Sequence, residues 1–186
     1  GAPQPNVDFY IGVLGLRIVK KTVNFDDPGT YHLYYGDEKG RPGSVMTFFP
    51  WPGAPKGARG TGQATVTSFS VPAGSVGFWQ QRLSAYGVEF LGPLVRFGER
   101  VLSFHDPDGL ALEVVAAERV DHRAPWERGP VPSEHAIRGF HGVTLAEKDH
   151  APTGSLLTET LGFRFVAESE NRFRYEAGAG GSGAIV

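Results

Sequence analysis

The chain lacks cysteine, long apolar runs and any strong net charge. Each absence bears on where the protein is located or on which partners it binds. With zero cysteines in 186 residues, the redox compartment is undetermined and the cytoplasm is the default location. No run approaches the roughly 18 apolar residues of a membrane span, and no segment resembles a signal peptide. A net charge of −2 provides no basic field for nucleic acid. We therefore expect a cytoplasmic protein that binds neither membranes nor nucleic acids.

Glycine and proline, by contrast, are plentiful. The chain holds 26 glycines and 14 prolines, which favours many short elements joined by turns over a helical bundle. Hydrophobic residues make up 40% and charged residues 20%, as in a globular protein. The length is sufficient to bury a sizeable core, in one domain or in two small modules.

One stretch places a carboxylate on an apolar strand. The turn signal Asp106–Gly109 is followed by Leu110–Val115, whose side chains alternate between two faces if the segment is a strand. Glu113 then shares a face with Ala111 and Val115. A buried, unpaired carboxylate is costly, so Glu113 needs a metal, a cation or strong hydrogen-bond donors, or its face lines a wet cavity.

Periodicity and turn signals divide most of the chain into repeated units. The first, residues 1–60, is predicted to contain a helix over Asn6–Leu16, capped by Asn6, and strands over Arg17–Asn24, Tyr31–Tyr35 and Ser44–Phe49. The second, residues 61–117, is predicted to contain a strand over Gln63–Val71, a helix over Ser75–Tyr86 and strands around Val88–Phe90, Leu94–Phe97, Val101–His105 and Leu110–Val115.

The remainder is predicted to hold a linker and an incomplete third unit. Residues 118–136 are rich in charge and proline without periodicity, as linkers are. The third unit, residues 137–186, is predicted to contain a strand over Phe140–Leu145, a helix over Thr153–Leu161 capped by Thr153 or Ser155, and strands over Phe163–Ala167 and Asn171–Tyr175. A last strand starts after Gly178–Gly183 and is cut off.

An internal repeat supports these units. Leu14–Val19 matches Leu161–Val166 about 147 residues later. His141 lies about 20 residues before Leu161, and the same spacing back from Leu14 falls before residue 1. We therefore expect that the first unit lacks its opening strand, that a sheet edge is left to be covered, and that the chain is a fragment.

The pattern Phe104-x-Asp106-Pro107-Asp108-Gly109-x-x-x-Glu113 resembles the end of a βαβββ module in the vicinal oxygen chelate superfamily, which includes glyoxalases, extradiol dioxygenases and bleomycin-resistance proteins. The resemblance implies an α+β fold of βαβββ modules paired into half-open barrels, with helices on the convex face. Opening-strand histidines and closing-strand glutamates bind the metal in this superfamily, so Glu113 and His141 are candidate metal ligands. The opening strand of the second unit, Gln63–Thr67, has no histidine. A vestigial pair is therefore an equal alternative.

Four segments resemble the ring-cleaving dioxygenases that act on hydroquinones: Phe9–Asp37, Gly43–Pro55, His141–Leu145 and Leu157–Phe163. That resemblance implies a four-module chain in which Fe(II), O₂ and a small aromatic substrate meet. The ligands come from modules one and four, so the main metal ligands are expected outside residues 1–186. This chain is expected to contribute pocket wall: His32, Tyr34, Thr47 and Phe49 on the first unit's concave face, with Trp51 at the rim.

The alternatives are packing roles and other chemistries. A histidine between two tyrosines is more often a packing residue, and a tryptophan in a proline-rich loop more often anchors that loop. Besides an Fe(II) dioxygenase, the residues allow a glyoxalase-type lyase or isomerase using Zn or Ni, with Mn a further candidate metal, or a metal-free small-molecule-binding protein. Homodimerisation is common in such folds, although the sequence does not show it.

Overall fold

The computed structural model describes residues 1–55 and 57–186, which form ten strands and three helical segments. The helical segments are α1 (Pro3–Val7, continued by π-helical residues Asp8–Val13), α2 (Val76–Ala85, after a 3₁₀ turn over Ala73–Ser75) and α3 (His150–Ser155, continued by π-helical residues Leu156–Thr160). The strands are β1 (Arg17–Val23), β2 (Tyr31–Gly36), β3 (Met46–Phe48), β4 (Gln63–Pro72), β5 (Phe90–Arg96), β6 (Glu99–His105), β7 (Ala111–Ala117), β8 (Gly139–Ala146), β9 (Arg164–Ser169) and β10 (Arg172–Glu176). The predicted α+β class is confirmed.

The larger sheet runs β5-β6-β7-β4-β8, and the end of the chain extends it. β4 pairs with β7 in parallel and with β8 antiparallel. Beyond β8, Ile185 bridges Gly142 in parallel and Glu176 antiparallel, which places residues 184–186 between β8 and β10. A Cβ on Gly142 would lie 2.7 Å from the Ile185 carbonyl oxygen, so glycine permits this close approach. The chain end thus pairs with β8 in parallel, as β7 pairs with β4.

One core lies against the convex side of this sheet. β7 contributes Leu112 and Val114 to it, as the alternation along Leu110–Val115 predicted, while Glu113 faces the other side. The segments α1 and α2 and the small sheet β1-β2-β3 cover the same core with side chains such as Tyr10, Leu14, Leu33, Tyr35, Trp79 and Leu83. Burying each large apolar side chain stabilises the fold by about 1.5–3 kcal/mol. Among the described residues, no helix has both the length and the apolar character needed to cross a bilayer.

The predicted turn at Asp106 also joins α1 to the larger sheet. One oxygen of the buried Asp106 carboxylate accepts the backbone N–H groups of Asp108 at 2.9 Å and Leu110 at 2.8 Å. The other accepts the Tyr10 hydroxyl at 3.0 Å. Burial and the Asp106 charge raise the pKa of Tyr10 far above its usual value. The phenol therefore stays protonated and keeps donating to the turn.

The linker region is packed rather than free. No helix or strand forms between Ala117 and Gly139, yet Val131 is almost fully buried. Arg123 bonds the Asp121 carboxylate at 2.6 Å and reaches the Phe140 carbonyl oxygen at 2.7 Å. The segment is therefore fixed onto β8, and the division of the chain into modules stays a prediction.

Several local predictions were wrong. The strands predicted at Val88–Phe90 and Leu94–Phe97 are one strand, β5, interrupted by a bulge between Leu91 and Leu94 where Gly92 and Pro93 lie. Proline removes a ladder donor, so it belongs at an edge strand or bulge, and β5 is both.

The predicted helix caps were also wrong. Asn6 lies inside α1 and accepts the Tyr35 hydroxyl at 2.9 Å. α3 is capped by Asp149, whose carboxylate accepts the Ala151 N–H at 3.0 Å, and not by Thr153 or Ser155. In both cases the helix begins earlier in the chain than its apolar periodicity indicates, at Pro3 for α1 and at His150 for α3.

We predict that Tyr10→Phe lowers the free energy of unfolding by about 1.5–3 kcal/mol, because a buried bond to a carboxylate is lost and Asp106 stays buried. Urea denaturation followed by circular dichroism measures the change. Tyr31→Phe is the matched control, since Tyr31 is 43% exposed, and should change stability by less than about 0.5 kcal/mol. Equal effects of the two substitutions would contradict the role of the Tyr10 bond.

We also predict an acid-sensitive contribution from Asp121. Burial tends to raise its pKa, but hydrogen bonds, chiefly from Arg123, and the charge of Arg123 hold the pKa below the usual value of 3.8. A depressed folded-state pKa stabilises the fold above the unfolded-state pKa, and this stability is lost as pH falls through the folded-state pKa. Urea denaturation of the protein and of Asp121→Asn at pH 3 to 6 should show the difference between them shrinking towards pH 3. A constant difference would argue against this linkage.

Candidate functional site

The five residues predicted to face a substrate lie together on the small sheet. Alternation along β2 turns Leu33 and Tyr35 into the core and places His32 and Tyr34 on the opposite face. The ring centroids of His32 and Tyr34 are 4.0 Å apart, and Tyr34 pairs with Thr47 in the register of β2 and β3.

Phe49 and Trp51 extend His32 and Tyr34 into a row of four aromatic side chains, called the aromatic row below. Phe49 lies 3.9 Å from His32 between ring centroids, and Trp51 stacks on Phe49 at 5.7 Å with an interplanar angle of 23°. Trp51 is 46% exposed, and its indole N–H donates to the Asp27 carboxylate at 3.3 Å. The row therefore offers a half-exposed aromatic surface, and its role in substrate binding stays a prediction.

His32 is the most constrained member of the row. Its Nδ1 shares a hydrogen bond of 2.9 Å with the Tyr34 hydroxyl, which fixes the orientation of the imidazole. Its Nε2 is buried without a hydrogen-bond partner among the described residues. The Lys20 ammonium lies 5.4 Å from the centroid of the Tyr34 ring, a distance at which a cation and an aromatic face attract each other.

A second candidate site is a cavity of about 710 Å³ on the concave side of the larger sheet. Both predicted metal ligands, Glu113 on β7 and His141 on β8, line it. Both are buried, with 4% and 6% of their surface exposed.

Glu113 is fully occupied by protein donors. One oxygen accepts the Ser103 hydroxyl at 3.0 Å and the other the Ser68 hydroxyl at 2.8 Å. These serines stand directly opposite Glu113 in the registers of β6 and β4. The Arg96 guanidinium contacts both oxygens, at 2.9 and 3.1 Å. A cation and two hydroxyls thus satisfy the requirement that the sequence placed on Glu113.

His141 belongs to a separate charged group. Its Nε2 lies 3.1 Å from the Glu99 carboxylate and its Nδ1 lies 3.0 Å from the Ser182 hydroxyl. Glu99 also pairs with Arg174 at 2.8 Å. Burial tends to raise the pKa of Glu99, but the hydrogen bonds and charges of His141 and Arg174 outweigh it and hold that pKa below its usual value. Glu99 is therefore ionised and already paired.

These contacts do not fit a metal ion at this pair. A metal bound by Glu113 would lie beside the Arg96 guanidinium, and two cations repel each other there. Nor do the residues that the structure describes contain any group of three His, Asp or Glu side chains placed to hold a metal. Glu113 and His141 as metal ligands stay a prediction, and their partners favour the vestigial alternative.

Sequence reasoning missed the partners of both residues. Arg96, Glu99 and Arg174 reach the cavity from β5, β6 and β10, and their separation in the chain hides their pairing. A weak signal existed for the hydroxyls, because Ser68 and Ser103 lie on predicted strands, although β4 and β6 also carry other polar residues. Using that signal required the strand register.

Comparisons with known proteins identify the relatives. The family model described as the glyoxalase/bleomycin resistance protein/dioxygenase superfamily matches residues 1–114. A Bacillus subtilis protein named "Putative ring-cleaving dioxygenase MhqO" is 47% identical over 186 residues, which is 100% of this chain and 59% of that protein. The chlorohydroquinone/hydroquinone 1,2-dioxygenase of Sphingobium indicum is 34% identical, again over 100% of this chain and 59% of its own length.

A solved structure agrees with these similarities. It is described as a "putative dioxygenase" from Bacillus subtilis, is 48% identical, and superposes with a TM-score of 0.92 over 100% of this chain and 59% of its own. The chain therefore spans about 59% of the length of these relatives.

We predict that Glu113 and Arg96 depend on each other for stability. Arg96→Leu or Glu113→Leu alone leaves a buried charge unpaired and should cost about 3 kcal/mol, whereas the double variant should cost clearly less than the sum. Urea denaturation of all four proteins completes the double-mutant cycle.

The matched control is the pair Arg128 and Glu38, which has the same N–O distance of 2.9 Å but an Arg128 side chain that is 80% exposed. Its cycle should give a coupling below about 1 kcal/mol. Additive effects at Glu113 and Arg96 would show that the buried pair is not coupled.

Proposed function

Since the chain belongs to the glyoxalase/bleomycin resistance protein/dioxygenase superfamily, we propose that it is part of a ring-cleaving dioxygenase acting on hydroquinone- or catechol-like aromatics. The observation that carries the proposal is the similarity to relatives named for ring cleavage, which extends over the whole of this chain. The proposed substrates are a small aromatic diol and O₂.

In this proposal the small sheet forms one wall of the substrate pocket. The half-exposed rings of Phe49 and Trp51 provide a flat apolar surface on which an aromatic ring stacks. The bond between Tyr34 and His32 holds the neighbouring imidazole in one orientation. These side chains bind and orient a planar substrate and keep water from one side of it.

The proposed cofactor is Fe(II), with its ligands outside residues 1–186. Glu113 and His141 are already paired with cationic and anionic partners of their own, which leaves that cavity without the donor set an iron centre requires. Fe(II) bound by such ligands would supply the activation of a diol and O₂ for ring cleavage. Any assay of the reaction therefore needs the full-length protein.

We predict that the full-length protein consumes O₂ when hydroquinone or catechol is added, and that a chelator abolishes this uptake. An oxygen electrode measures the rate, and Fe(II), Mn(II), Zn(II) and Ni(II) are then added back separately to the chelated protein. Recovery with Fe(II) supports the proposal. The absence of O₂ uptake with any such substrate after iron is restored would overturn it, and activity with Zn(II) alone on a thiol adduct would indicate a glyoxalase-type enzyme.

The contribution of the aromatic row is tested in the same assay. Trp51→Leu should raise KM by roughly threefold to tenfold with little change in kcat, because it removes a stacking surface and not a reacting group. Tyr86→Leu is the control, since Tyr86 is 51% exposed directly after α2 and lies outside the row. If the two variants have the same KM, the row does not contact substrate.

A further inference from the structure

The cavity on the concave side of the larger sheet has the size and walls of a small-molecule pocket. Its volume of about 710 Å³ lies within the range of about 300–1,000 Å³ found for ligand pockets. Much of the wall is apolar: Val66, Val101, Val115, Val143 and Leu145 line it from β4, β6, β7 and β8. These properties suit a small organic molecule with an apolar part.

The carboxylates on the sheet that line this cavity are already engaged. Glu113 accepts bonds from Arg96 and two serines, and Glu99 is paired with Arg174 and His141. A cationic ligand would have to displace one of these internal partners. The sheet itself therefore offers little to a cation.

Arg172 differs from the other two arginines that line the cavity. It stands two residues before Arg174 on β10, so both side chains extend from the same face of that strand. Arg96 and Arg174 each have a carboxylate partner. Within residues 1–55 and 57–186, the guanidinium of Arg172 has neither an ion pair nor a hydrogen bond, although its side chain is half-buried.

The surroundings leave the Arg172 charge incompletely compensated. Burial lowers its pKa first, and the like charge of Arg96 lowers it further, while Glu113 and Glu170 act in the opposite direction. Glu113 is ion-paired with Arg96 and not with Arg172. An anion placed at Arg172 would compensate the second guanidinium.

We propose that this cavity binds a small ring compound carrying a carboxylate, with the carboxylate paired to Arg172 and the ring against Val115 and Val143. A guanidinium presents two parallel N–H donors that match the two oxygens of a carboxylate. The valines on β7 and β8 supply apolar contact for the ring. This site uses none of the residues of the aromatic row, and the inference stands without the proposed dioxygenase activity.

Isothermal titration calorimetry of the full-length protein with benzoate tests the proposal. Benzyl alcohol is the matched probe, because it keeps the ring and lacks the charge. Benzoate should bind with a stoichiometry of one, and Arg172→Gln should weaken it by about tenfold or more. Arg164→Gln, on exposed β9 outside the cavity lining, should leave binding unchanged.

A second variant separates loss of binding from loss of folding. Val143→Phe fills the cavity from a half-buried position on β8 and leaves Arg172 in place, and it should also weaken benzoate while thermal unfolding remains cooperative. Binding of benzoate that neither variant weakens would place the ligand elsewhere and overturn the proposal. No binding of benzoate at all, or equal binding of benzyl alcohol, would overturn it as well.

Discussion

The antiparallel pairing of β4 with β8 is the constraint on which both halves of the larger sheet depend. β4 is central because it pairs in parallel with β7 on one side and with β8 on the other. Without β8, the residues 184–186 and the strands β10 and β9 would have no place in the sheet. Strands from both sides of this pairing line the concave cavity.

The two faces of the larger sheet follow from the period of two along its strands. On β7, Leu112 and Val114 enter the core beneath the helices, and Glu113 and Val115 face the cavity. The apolar face determines how α1, α2 and the small sheet pack. The concave face is then free to carry charges, provided that each finds a partner from another strand.

The sequence was sufficient for features that depend on neighbouring residues. The alternation of Leu110–Val115 and the aromatic row of His32, Tyr34, Phe49 and Trp51 both follow from one strand or one hairpin, and the structure has both. The fold class followed from the resemblance of the Phe104–Glu113 pattern to a known superfamily, and the internal repeat agreed with it.

Features that depend on long-range register could not be predicted. The partners of Glu113 stand on three other strands, and Arg174 meets Glu99 across 75 positions of the chain. Predicting such contacts requires knowing which strands are neighbours, and no local sequence pattern gives that information. The bulge in β5 could not be predicted for the same reason. Gly92 and Pro93 are equally compatible with the end of a strand and with a bulge until the pairing with β6 is known.

The ion pair of Glu113 with Arg96 also has an evolutionary consequence. Replacing one buried partner leaves the other charge exposed to a low-dielectric interior, whereas replacing both with apolar residues of similar volume is often nearly neutral. A lineage that changes one residue at a time must therefore pass through a destabilised intermediate to remove the pair. The charged residues that line the cavity can persist for this reason alone, whether or not they have a function.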